Sequence, residues 1–310
     1  MERCQIPVLF VIFNRPETSQ RSFASIRAAR PERLYIASDG PRAHREGEAE
    51  LVARTRESVL AMIDWECEVK TLFQEQNLGC GMGVYTAISW LFEHEERGVV
   101  IEDDCVVSAS FFPFMAEMLE RYAADQRIGM VAGSNPIEAH RTDGSYHFSR
   151  FKSCWGWGSW RRAWQHMDLE MSWRGEKTDS VIYNAGYGGR DRAEWLHKLS
   201  YIDRGYVSAW DWQWYFSLSA QNQLCIYPAR NLVSNEGNDA SATHTAVGDI
   251  CLKRYELDFP LTHPRFVMPD AAFDRAFYRS SNTLYRRLLR WIPYGLKQAV
   301  KRCIIALKRG

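Results

Sequence analysis

Gly98-Val99-Val100-Ile101 runs without polar interruption straight into Glu102-Asp103-Asp104. A β-branched run with no polar alternation reads as a strand buried on both faces, which places it in a sheet covered by helices. Three carboxylates then stand at the C-terminal end of that strand, the edge at which open α/β sheets bind ligands. Adjacent carboxylates repel one another, and burying them unpaired forces protonation or a large desolvation cost. A divalent cation removes that cost. Hard oxygen donors suit Mg²⁺ or Mn²⁺, with one or two protein carboxylates and the remaining positions left to water and phosphate. The competing reading is a solvated turn whose acids lead into the next helix.

The same alternation opens the chain. Ile6 to Phe13 reads as a strand ending in Asn14-Arg15-Pro16, followed by a helix over Thr18 to Ala29. Leu34 to Ser38 is a second strand, ending in Asp39-Gly40, so Arg15 and Asp39 leave neighbouring strands at one edge. Glu48 to Ile63 is amphipathic and Val69 to Phe73 strand-like. Asn77-Leu78-Gly79-Cys80-Gly81-Met82-Gly83 is then a glycine-rich turn leading into a helix that carries Val84, Ile88 and Leu91. Such a turn can cradle a diphosphate. As a dinucleotide fingerprint it lacks the third glycine, having Val84 there, and it does not follow the first strand. Ser108 or Ser110 can cap a further helix from Phe111, and Ile128 to Ala132 is the next strand. These units predict a nucleotide-binding half over about residues 1–135.

Composition separates the second half, over about 136–262. Four tryptophans fall between Phe151 and Trp164, and Trp195, Trp210, Trp212 and Trp214 follow. Packing is the expected fate of most. Trp155 and Trp157, flanking Gly156 and followed by Gly158, read as a flexible aromatic segment suited to the apolar face of an acceptor sugar. Asp211 opens a helix running to about Gln221 and is either its cap or a general base. His244 ends a polar loop from Asn235, either exposed or completing a metal site.

Charge sets the C-terminal segment apart. The net charge is +1, yet no acid follows Asp274 while ten Lys or Arg do, leaving 29 bases against 38 acids in residues 1–274. Over residues 285–310 basic and apolar residues alternate, the pattern of a helix lying on an anionic membrane surface; the alternative is a helix docked on the body. The expected domain scheme is therefore a body over 1–262 and a basic amphipathic tail over 263–310. No run reaches the length of a membrane span, and the start of the chain enters a strand, so the expectation is a cytoplasmic chain, peripheral on the inner face of the membrane. Eight scattered cysteines show no zinc spacing and read as reduced thiols. Nucleic acid is not expected, since no basic aromatic platform is visible.

In chain order, Phe13-Asn14-Arg15-Pro16, Ser38-Asp39-Gly40, Asn77-Leu78-Gly79, Val100 to Asp104, Gly156-Trp157-Gly158, Trp210-Asp211 with Trp214, and Asn235 with Gly237 through Thr243-His244 resemble the inverting nucleotide-sugar transferases of the glycosyltransferase-A fold. The set is most similar to bacterial, hemolytic-protein-like relatives of the N-acetylglucosaminyltransferase-I group. The resemblance implies an α/β fold with a Rossmann-like mixed sheet flanked by helices. It implies a metal-dependent hexosyltransferase moving sugar from a nucleotide-diphosphate donor, a UDP-sugar, to a glycan or lipid-linked hydroxyl in surface polysaccharide synthesis. A non-catalytic glycan- or nucleotide-binding protein of the same fold is the alternative. By resemblance Arg15 touches the diphosphate, Asp39 the base, and Asn77 and Gly79 the nucleotide. Glu102 and Asp103 contact ribose or metal-bound water, Asp104 ligates Mn²⁺ or Mg²⁺, and Asp211 deprotonates the acceptor; His244 as a second metal ligand extends the pattern.

Overall fold

In a computed structural model, residues 4–208, 210–237, 252–292 and 294–296 are described. The first half alternates strands and helices: β1 (Val8–Ile12), α1 (Pro16–Ala29), β2 (Arg33–Ser38), α2 (Glu48–Leu60), β3 (Glu68–Phe73), α3 (Gly79–His94) and β4 (Arg97–Glu102). There follow β5 (Cys105–Val107), α4 (Phe111–Arg121), β6 (Ile128–Ala132), β7 (Tyr146–Ser149), β8 (Trp157–Trp160), α5 (Arg161–Trp164), α6 (Thr178–Asn184), α7 (Arg192–Asp203), α8 (Asp211–Ala220), β9 (Leu224–Pro228) and β10 (Val233–Asn235). Two helices close the described chain, α9 (Ala271–Ser281) and α10 (Leu284–Leu289).

Eight strands form one mixed sheet in the order β3-β2-β1-β4-β8-β6-β9-β7. The β3-β2-β1-β4 run is parallel throughout. β8 is inserted antiparallel between β4 and β6, β9 runs parallel to β6, and β7 closes the far edge antiparallel. This is the expected α/β sheet flanked by helices, and its parallel half explains the non-alternating runs. Val8, Phe10, Val99 and Ile101 pack on one face with Phe23 of α1 and Met115 of α4. Leu9 and Val100 pack on the other with Val84, Ile88 and Leu91 of α3. Successive residues of a strand point to opposite faces, so a strand covered twice must be apolar at every position.

Three local expectations are corrected. α3 begins at Gly79, so the glycine-rich turn is largely the helix's first turn. Neither Ser108 nor Ser110 caps α4 with its side chain; the Ala109 and Ser110 N–H groups instead donate to the Glu256 carboxylate, at 3.1 and 2.7 Å. An acid from far along the chain supplies the negative charge that the helix N-terminus favours. Third, the Gly156-Trp157-Gly158 segment is no flexible loop, because Trp157 to Trp160 form an interior strand. A side chain at Gly158 would crowd Leu119 and Met115 at 3.1 and 3.3 Å, so the glycine that made the segment look loose is what lets α4 close over it.

Residues beyond 262 also join the core. Phe273 of α9 is fully buried in the core beside Tyr227, and buried Asp274 accepts from Ser149 Oγ at 2.5 Å.

Candidate functional site

Asp103 and Asp104 occupy the tight turn between β4 and β5, where the sheet's parallel half ends. α1 latches that turn from below: Ser22 Oγ donates to the Cys105 carbonyl at 2.5 Å and lies 3.2 Å from the Glu102 carbonyl. β10 latches it from the side. Its pairing with β5 sets Asn235 opposite Cys105, Asn235 Nδ2 donates to Asp104 Oδ1 at 3.1 Å, and Glu236 N–H donates to the Asp104 carbonyl at 2.7 Å. Arg15, at the end of the loop leaving β1, pairs with Asp103 and reaches Asp104 Oδ2 at 3.2 Å.

One guanidinium therefore serves several acids. Burial pushes the Asp103 carboxyl up to about 6, although Arg15 pulls the other way. Burial, then the charges of Asp104, Asp103 and Asp211, raise Glu102 well above the carboxylate range. For Arg15 burial opposes the charge, but Asp103 and Asp104 more than offset it and hold the guanidinium protonated. Among the described residues, the site carries more carboxylates than Arg15 alone balances. Among the described residues no three His, Cys, Asp or Glu side chains converge into a ready-made metal cage. The donor set nonetheless fits a divalent cation bound through one or two carboxylates, hard oxygens with charge to spare, with phosphate and water completing the shell. His244 lies outside the described residues.

Asp39 does something the sequence reading did not foresee. Its Oδ1 accepts from the N–H groups of Gly40 and Leu78 at 2.9 and 2.8 Å, and its Oδ2 from Asn77 Nδ2 and the Gly79 N–H at 2.9 and 3.0 Å. A carboxylate has about four lone-pair sites, and all are filled. Asp39 thus anchors the start of α3 rather than offering a free oxygen to a base. For the same reason the diphosphate cradle expected at this turn is closed: Leu78 and Gly79 donate to Asp39, and Gly81 N–H donates to Ser208 Oγ at 3.1 Å. Gly79 has φ +81°, a conformation that side-chain-bearing residues rarely adopt. Asn77 Nδ2 also donates to the Gly40 carbonyl at 2.8 Å, binding the two loops together.

Asp211 is the first residue of α8, and its charge is among those that raise Glu102, which sets the two carboxylates near each other. Behind it lies an indole stack: Trp157 is stacked on Trp210 at 5.8 Å, and Trp214 packs on Trp164 at 4.8 Å. Trp157 is fully buried in this stack. Fully enclosed, it cannot present a face to an acceptor, contrary to expectation. Trp155 is only partly buried.

Several contributors went unnoticed in the sequence. Glu48 receives Asn14 Nδ2 at 2.9 Å and the Arg42 N–H at 2.8 Å, and hydrogen bonding from the Arg42 side chain holds its carboxyl down to about 2. Arg56 ties the ends of β2 and β3 by donating to Ser38 Oγ at 2.9 Å and to the carbonyls of Asp39 and Gln74 at 3.0 and 2.8 Å. Each looked like an ordinary charge on an amphipathic helix, and only its partner's position at the sheet edge reveals it.

No family model matches the chain. No curated protein matches it either. Among solved structures, a mannosyltransferase from Pyrobaculum calidifontis in complex with GDP-Man and Mn²⁺ is similar at 14% identity and TM-score 0.33, over 51% of this chain and 45% of that one. Mouse xyloside xylosyltransferase 1 is similar at 10% identity and TM-score 0.35, over 70% and 82%. An apo UDP-glucose pyrophosphorylase is similar at 11% identity and TM-score 0.35, over 74% and 93%. The chain thus spans under half of the mannosyltransferase. Likenesses this low carry no argument about function, which rests on the residues of the site.

Proposed function

We propose that the chain is a metal-dependent, inverting glycosyltransferase that moves a sugar from a nucleoside-diphosphate donor, a UDP-sugar, to a glycan or lipid-linked hydroxyl in surface polysaccharide synthesis. The observation that carries this reading is that Arg15 pairs with both Asp103 and Asp104 at the C-terminal edge of a parallel sheet, where Glu102 also feels the charges of Asp104, Asp103 and Asp211. Such an excess of charge stabilises nothing by itself, and it suits a ligand that arrives with a divalent cation.

A divalent cation at Asp104 would neutralise charge that develops on the diphosphate as the sugar leaves. Arg15 exchanges its pairing with Asp103 and Asp104 for the diphosphate oxygens, supplying charge-assisted hydrogen bonds where negative charge grows. Glu102 and Asp103 face the ribose or metal-bound water. Asp39 holds Asn77 and the first turn of α3 as one wall of the nucleotide site. Asp211 accepts the proton of the acceptor hydroxyl as that oxygen attacks the face opposite the leaving group, so one base suffices and no covalent nucleophile is required. Trp155 offers the aromatic surface for the acceptor sugar. The basic residues of 285–310 hold the chain on an anionic membrane surface, near a lipid-linked acceptor.

The test is turnover of a panel of sugar nucleotides with and without Mn²⁺. One or more is consumed only with metal, and Asp211→Asn lowers that rate by about 10² to 10⁴. Nucleotide binding without turnover of any donor across a broad acceptor panel would instead support a non-catalytic nucleotide- or glycan-binding protein.

A further inference from the structure

α10 turns its apolar side to water. Leu284, Leu288 and Trp291 recur at helical spacing on one side of α10 and the turn after it, with relative exposures of 69%, 60% and 87%. Leu296 is also exposed. Such a set of apolar side chains, exposed among the described residues, marks a surface suited to binding.

Beside this face, α7 and the residues after α10 enclose a cavity of about 350 Å³ whose polar lining includes His197, Tyr201, Arg204, Arg290 and Tyr294. Arg290 is paired with Glu194 Oε2 at 3.2 Å. Exposed Arg204 has no carboxylate partner among the described residues, and its guanidinium lies over the Tyr206 ring at 6.0 Å. The rim is aromatic: Tyr294 stacks on Tyr206 at 4.3 Å, and its hydroxyl donates to the Tyr206 carbonyl at 3.0 Å. Two residues beyond Tyr206, Ser208 accepts from the Gly81 N–H at the start of α3.

We propose that the α10 face and this cavity together dock an anionic phospholipid surface, the apolar side chains entering it and a headgroup phosphate seating at Arg204. Charge complementarity selects this occupant: Arg287 stands on α10, Arg204 and Arg290 line the adjoining cavity, and no acid follows Asp274 in the sequence. Exposed tryptophan and tyrosine beside basic side chains are suited to the membrane interface, where rings sit at headgroup level. The inference deepens the membrane contact proposed above by giving it a face and a headgroup site, and it stands apart from catalysis.

The experiment sediments the full chain with vesicles of phosphatidylcholine alone and of phosphatidylcholine mixed equally with phosphatidylglycerol. The chain pellets with the anionic mixture and not with the neutral one. Arg204→Gln weakens that partition about fivefold, the equivalent of the ~1 kcal/mol carried by one basic residue at such a surface. Leu288→Ser combined with Trp291→Ser removes it. Metal-dependent consumption of a soluble sugar nucleotide stays unchanged in all these variants, so loss of lipid binding and loss of the catalytic reading are distinguishable. If the double variant misfolds, the surface substitution at Arg204 decides alone. Equal pelleting with neutral vesicles, no effect of Arg204→Gln, saturable binding of inorganic phosphate by a chain that ignores vesicles, or a dimer dispersed by the double variant would each overturn the proposal.

Discussion

Gly237 lies against the carboxylate of Asp104: a Cβ at Gly237 would stand 3.0 Å from the Cβ and Cγ of Asp104 and closer still to Oδ2. The proposed metal ligand is thus positioned by backbone on one side, by Asn235 on another and by Arg15 on a third. Gly237→Ala forces the carboxylate to swing away. The expected outcome is a fold retained within about 1–3 kcal/mol, typical of overpacking, with affinity for Mn²⁺ and nucleotide reduced at least tenfold. Calorimetry alongside thermal melting reads both.

Asp39 is expected to act through the turn it holds. Asp39→Asn keeps one acceptor oxygen and turns the other position into a donor that faces donors. Lost charge-assisted bonds and the lost anion at a helix start together cost about 2 kcal/mol. The variant melts lower and binds nucleotide more weakly, and both defects ease when Asp39→Glu is tested only if the longer carboxylate can still reach Gly79. Unchanged melting would show that the turn stands without it.

Trp157 and Trp155 separate packing from recognition. Trp157→Ala empties the indole stack and costs about 3–5 kcal/mol of stability, whatever acceptor is present. Trp155 is partly buried against the core, so Trp155→Ala costs less stability than Trp157→Ala and in addition raises the acceptor KM. Urea titration with acceptor kinetics distinguishes the two, and a stable Trp157→Ala chain would contradict the packing described.

His147 makes the chain acid-sensitive. Burial, then neighbouring His140, pushes its imidazole from 6.5 down to about 3. Both ring nitrogens lack partners, and the ring is enclosed by Tyr227, Phe273 and His140, the last paired with Asp270. The folded state keeps His147 neutral while the unfolded chain takes up a proton, so its contribution to stability falls as pH drops from about 6.5 towards 3. His147→Phe removes that dependence: between pH 7 and 4.5 the variant retains about 2–3 kcal/mol that the wild type loses. Parallel stability profiles would contradict the assignment.

How much of this was legible depends on the range of the interaction. The buried strand before Glu102, the strand-helix order and the acids at the edge were readable, because burial on two faces imposes a local pattern. The role of Asp39 was not, since its partners lie up to 40 positions away. Nor was the hold on Asp104 by Asn235, 131 positions on. Gly156 and Gly158 misled for a related reason: a glycine required by a neighbouring helix looks, in sequence, like a glycine required by a loop. The indole stack likewise becomes visible only when strand β8 and helix α8 meet.

The central claim is that Asp104 holds a divalent cation under a diphosphate. Calorimetric titration of UDP into the chain, with Mn²⁺ and then with chelator, and again into Asp104→Asn, tests it most directly. The account predicts saturable binding that needs the metal and weakens at least tenfold, ~1.4 kcal/mol, in the variant. UDP binding of equal strength with metal, with chelator and in Asp104→Asn would contradict it.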